Sequence, residues 1–98
     1  MKDATLGGYW HEHKRPPAFK GPDGDSYTVE IITEQRDADD EVAWCAYLFF
    51  LQWSGNQPVG HVESAYLSRA ETAETAQSEV EQLTLHAVKE ILDKLLAG

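Results

Sequence analysis

The sequence predicts an α+β domain, a three-stranded antiparallel β-meander packed against one long C-terminal α-helix, with an irregular N-terminal arm. Three observations predict it. Residues 27–67 carry a two-residue hydrophobic period interrupted by short turn-rich connections, residues 68–97 step by three or four, and residues 1–26 do neither. A chain of 98 residues fits a single domain, 1–98, with a modest core.

The arm, 1–26, is punctuated by Gly7-Gly8, Pro16-Pro17, Gly21-Pro22 and Asp23-Gly24, residues that favour turns over element interiors. Gly8–His13 between them alternates loosely enough for a short edge strand. The first clear strand runs from Ser26 to Gln35. Tyr27, Val29, Ile31 and Thr33 share one face, and Thr28, Glu30, Ile32 and Glu34 the other. Asp37-Ala38-Asp39-Asp40 makes a turn. The second strand, Glu41 to Trp53, is apolar on both faces: Val42, Trp44, Ala46, Leu48 and Phe50 alternate with Ala43, Cys45, Tyr47, Phe49, Leu51 and Trp53. A strand that is apolar all round is a central strand with cover on two sides. Ser54–Pro58 is a hairpin turn, and Val59–Leu67 reads as the third strand. Connections this short make neighbours antiparallel, because a parallel pair needs a crossover of a dozen residues.

From Ser68 the period is helical. Ser68 with Glu71 forms a capping-box pattern, and Thr72 with Thr75 a less specific alternative. Ala73, Ala76, Val80, Leu83, Ala87, Ile91 and Leu95 form an apolar stripe, widened by Val88, Leu92 and Leu96 and closed by Gly98. One straight helix over Arg69–Ala97 would measure roughly 43 Å at 1.5 Å per residue, longer than a compact chain of this size is wide. The helix therefore overhangs, or it breaks near Gln82–Thr84 with Thr84 capping a second helix, Leu85–Leu96.

Composition narrows the function. Hydrophobic residues make up 42% of the chain and ten residues are aromatic, which argues against disorder. Eight bases against 17 acids give a net charge of −9, and the basic footprint of a nucleic-acid binder is missing. Tyr9 and Trp10 beside Lys14 and Arg15 are too small a cluster to offset it. Cys45 is the only cysteine, so neither an internal disulfide nor a cysteine zinc site is expected. The N-terminus lacks a signal-peptide pattern, and the longest apolar run, Val42–Leu51, is too short to span a bilayer. The expected location is cytoplasmic.

Candidate chemistry is sparse. His11 and His13 would share a face of an extended segment and could hold a metal there, although the bland reading is an exposed polar arm. Asp37, Asp39, Asp40 and Glu41 are the sort of carboxylates that calcium takes, but they lack the glycine and the distal glutamate of a calcium loop. A solvated acidic turn explains them better. Cys45, mid-strand and apolar in its surroundings, reads as inert, and a nucleophilic pair with His61 or His86 is the remote alternative. His61 and Glu63 share a strand face as an acid–base pair would, or simply as a polar edge. No phosphate-loop glycine pattern is present, and no cofactor is expected. The aromatic residues Trp10, Trp44, Tyr47 and Trp53, with His61, are the binding candidates.

The expectation is a small non-enzymatic interaction or regulatory module. A ligand- or metal-binding domain using an aromatic sheet face is the alternative, and a small enzyme the third choice. One helix layer covers one side of a three-stranded sheet. The other side needs the arm or a second chain, and a homodimer or a protein partner is the expected solution.

Overall fold

A computed structural model describes residues 4–38 and 41–97. In chain order its elements are α1 (Leu6–His13), β1 (Ala18–Lys20), β2 (Ser26–Ala38), β3 (Glu41–Ser54), β4 (Gln57–Glu63), β5 (Ser68–Ala70), α2 (Ala73–Glu81) and α3 (Leu85–Ala97). The class is α+β and every strand pairing is antiparallel. β2, β3 and β4 follow one another across the sheet with β3 central, and β1 adds to the outside of β2. Among the described residues no helix is long and apolar enough to cross a membrane.

The third strand differs from the expected Val59–Leu67. It starts at Gln57, after a two-residue turn, Gly55-Asn56, in which Gly55 takes φ 62°. Positive φ at the first turn residue alone is the II′ pattern that suits a twisted hairpin, and glycine adopts it without strain. The strand then stops at Glu63. Ser64 takes over the ladder with its side chain: its Oγ accepts from the Leu48 amide at 2.9 Å, while its own amide donates to the Leu48 carbonyl. After this interruption Ser68–Ala70 rejoins the same edge of β3 opposite Trp44–Ala46 as β5.

That pairing corrects the helix start. Ser68 and Glu71 do not form a capping box, because Ser68 is spent on the sheet and its hydroxyl donates to the Ala76 carbonyl at 2.7 Å. Thr72 caps α2 instead, its Oγ1 accepting from the Thr75 amide. Of the two outcomes expected for the long helical stretch, the break is the one found: it divides into α2 and α3. Thr84 accepts from the Ala87 amide at 3.1 Å and so caps α3. The backbone groups freed at the break are used. Leu6 donates to the Leu83 carbonyl and Leu85 to the Ala4 carbonyl, both at 2.8 Å, which ties the start of α1 to the α2–α3 junction.

The arm is not irregular throughout. Thr5 caps α1 by accepting from the Gly8 amide at 3.0 Å, and Lys14 ends it in the left-handed region at φ 55°. Glycines that read as breakers serve packing here. A Cβ on Gly7 would lie 2.7 Å from Cβ of Glu81, so only glycine lets α1 approach α2 this closely.

The core lies between the sheet and the helices. Tyr27 and Val29 of β2 and Ala46, Leu48 and Phe50 of β3 meet Leu6 of α1, Ala76 and Val80 of α2, and Val88 and Leu92 of α3. The break at Thr84 re-phases the stripe, so α3 buries Val88 and Leu92 completely while Ile91 and Leu95 are only partly buried.

Candidate functional site

Because strand side chains alternate, the even-numbered residues of β3 that face the helices leave the odd-numbered ones on the opposite side. Register extends this face over the sheet. Ile32 lies opposite Tyr47, Glu30 opposite Phe49 and Thr28 opposite Leu51, while Glu63 and His61 flank Phe49 and Leu51 from β4. Ile32, Tyr47, Phe49, Leu51 and Trp53 thus form one apolar field. Each is half-buried by its neighbours within the sheet, and none belongs to the core beneath the helices. Glu30, Glu34 and Arg36 border the field on the β2 side, and His61, Glu63 and Arg69 border it on the β4–β5 side.

Side-chain contacts tie much of the field to its border. The Trp53 indole Nε1 donates to Thr28 Oγ1 at 2.9 Å, and the Phe49 ring stacks on His61 with centroids 5.0 Å apart and planes inclined by 18°. At the Cys45 end, Tyr66 reaches from the β4–β5 connection across β3 to β2, where its hydroxyl donates to Glu34 Oε2 at 2.6 Å. Its ring meets Tyr47 edge-on at 5.9 Å and lies under the Arg36 guanidinium at 5.7 Å. These surroundings favour neutral phenols. The bond to Glu34, seconded by desolvation, raises the pKa of Tyr66 above the ordinary tyrosine value against an opposing pull from Arg36. Desolvation, then the carboxylates of Glu63 and Glu34, raises that of Tyr47.

The structure brings three of the sequence-derived binding candidates together, since Tyr47, Trp53 and His61 share this face. Trp44 is on the other side of β3, packed against the core. Trp10 is half-exposed on α1, at a groove of about 240 Å³ that it shares with Leu6, Pro16, Pro17, Val29 and Glu81 among others. The α1 helix removes the strand geometry on which the His11–His13 pairing rested. At 100° per residue, two positions apart puts the imidazoles on opposed sides of the helix, and the His13 ring packs against Tyr9 instead, with centroids 4.3 Å apart and planes inclined by 40°. Among the described residues no three metal-ligating side chains cluster. Asp37 is exposed, while Asp39, Asp40 and the side chain of Glu41 lie outside the described residues.

Neither nucleophilic pair is formed. His61 sits opposite Leu51, six residues along β3 from Cys45 and so about 20 Å away, and His86 is an exposed residue of α3 paired with Glu90 at 2.8 Å. His61 and Glu63 are 3.6 Å apart, both well exposed. Sequence reasoning passed over Ile32, Phe49, Leu51 and Tyr66. The alternation that singled out Tyr47 and Trp53 also includes Phe49 and Leu51, and so carried the signal for both. Tyr66 had none, because its position depends on the Ser64 interruption. Comparison of the chain with protein-family models, with curated proteins and with solved structures yields no match.

Proposed function

We propose that this chain is a small non-enzymatic interaction module that works by burying the open face of its sheet against a protein surface. One observation carries the reading: five large apolar side chains, Ile32, Tyr47, Phe49, Leu51 and Trp53, lie side by side on a face that no helix of the core cluster covers. A contiguous apolar field with a charged border is the usual mark of a contact surface. Its dimensions suit a protein. β2 and β3 have 13 and 14 residues, so the face is about 45 Å long and three strands, about 14 Å, wide. That is about 600 Å² before relief is counted, of the order of the ~800 Å² each partner contributes to a specific interface.

The experiment is size-exclusion chromatography of the tagged chain in extracts of its own cells. Wild type is expected in a complex larger than the purified chain, and Leu51→Glu at the centre of the field is expected to leave it. Val59→Glu, at an exposed position of β4, serves as control. A Leu51→Glu chain that folds and still co-elutes with wild type contradicts the reading.

A further inference from the structure

We propose that Tyr66 is a hinged lid over one end of the open face, opening and closing while the sheet stays paired. Alternation puts Ala43 and Cys45 on the same side of β3 as Tyr47, Phe49, Leu51 and Trp53. Those four are half-buried, yet Cys45 is only 7% exposed and Ala43 6%. The core helices lie on the other side of the sheet, so something else covers this end. Register names the cover. Cys45 lies opposite Glu34 of β2 on one flank and opposite Arg69 of β5 on the other. Tyr66 starts beyond β3 on the β5 flank and its hydroxyl ends on Glu34, so its side chain crosses above Cys45.

The base of the lid is pinned on both sides. The Ser64 and Leu67 amides donate to the Leu48 and Ala46 carbonyls at 2.9 and 2.8 Å. Between these anchors, neither the Ala65 nor the Tyr66 amide donates to a backbone group among the described residues. A rotation of the Tyr66 side chain therefore unpairs no strand. The contacts that hold the ring down sit at the surface, where water competes with them. They are the bond to Glu34, the edge contact with Tyr47 and the Arg36 guanidinium, and Tyr66 itself is 45% exposed. The open form is then a minor state, populated at roughly 0.1–10%. Opening bares Cys45 and extends the apolar field past Tyr47. The use of that extension by a partner rests on the docking reading, whereas the opening itself does not.

Cys45 is the only cysteine, so its alkylation by iodoacetamide reports the opening with no competing thiol. In the purified chain at fixed pH, Cys45 is expected to react roughly 10–1,000-fold more slowly than in the urea-unfolded chain, as the minor population requires. Its rate should stay flat as urea rises below the unfolding transition, the mark of a local opening. Tyr66→Phe keeps the ring but loses the bond to Glu34, and should speed the reaction by roughly tenfold. Glu34→Gln weakens the same bond from the other side and should speed it several-fold, and Tyr66→Ala should exceed both. Leu51→Glu, on the same face but away from the lid, should leave the rate unchanged, with circular dichroism and urea midpoints confirming that each variant folds. A thiol inert until the chain unfolds, or a rate that climbs with urea from the start, overturns the proposal. So do rates in the Tyr66 and Glu34 variants equal to wild type, which would put the cover elsewhere. The measurement is made on the free chain, so its failure leaves the docking reading standing, and a chain that finds no partner leaves the lid standing.

Discussion

Tyr27 shows how much one side chain can join. It is fully buried on the helix-facing side of β2, and its hydroxyl donates to Asp23 Oδ2 at 2.7 Å in the turn between β1 and β2. The same carboxyl accepts from the Asp25 amide at 3.0 Å, closing the turn. The bond from Tyr27, then that amide, holds the Asp23 carboxyl below the usual carboxylate range. Burial first, and then Asp23, pushes the Tyr27 phenol up to about 12. Folding therefore favours the protonated phenol. The stability this contributes is complete below the value near 10 at which a free tyrosine ionises, and it is lost as pH climbs from there to about 12. Urea unfolding followed from neutral to strongly alkaline pH should show the loss, and Tyr27→Phe should remove much of it. An equally steep alkaline loss in the variant would detach the effect from Tyr27. The sequence placed Tyr27 on the face of Val29 and Ile31, as found. It could not show the partnership with Asp23, which read only as part of a turn.

Elements were legible where period and burial agree. β2 and β3 carry the strongest alternation, and both formed within a few residues of their expected limits. The split of the third strand was not legible, since it depends on Ser64 replacing backbone with a hydroxyl. Nor was α1, whose Gly7 is there for close approach to Glu81 rather than to break the helix. The helical region was half legible: Thr84 was a candidate cap, but a continuous stripe centred on Ile91 assumed one unbroken phase. The cap re-phases it onto Val88 and Leu92. Leu92→Ala is therefore expected to cost about 2–5 kcal/mol in urea unfolding, and Ile91→Ala less, because part of its surface already meets water. The reverse order would return α3 to the phase read from the sequence.

On the scale of the whole molecule, the sequence implied that one side of the sheet would need a cover beyond the helix layer, and proposed the arm or a second chain. The arm goes elsewhere. α1 is hydrogen-bonded to the α2–α3 junction and its Leu6 joins the core among the helices, so Trp10 and the two prolines add to the helical side rather than the open one. What remains is a two-sided molecule, with Phe50 and Leu48 sealed on one side of β3 and Phe49, Leu51 and Trp53 only half-buried on the other. The docking proposed for the half-buried side rests on that division. Hydroxyl-radical footprinting tests it most directly when done on the dilute purified chain and again inside its own cells. In the purified chain Tyr47, Phe49 and Trp53 should be oxidised while Tyr27 and Phe50 are spared. In cells the first three should become protected, with exposed Trp10 on the helical side serving as internal reference for dose. Equal oxidation of Tyr47, Phe49 and Trp53 in both settings would contradict the account.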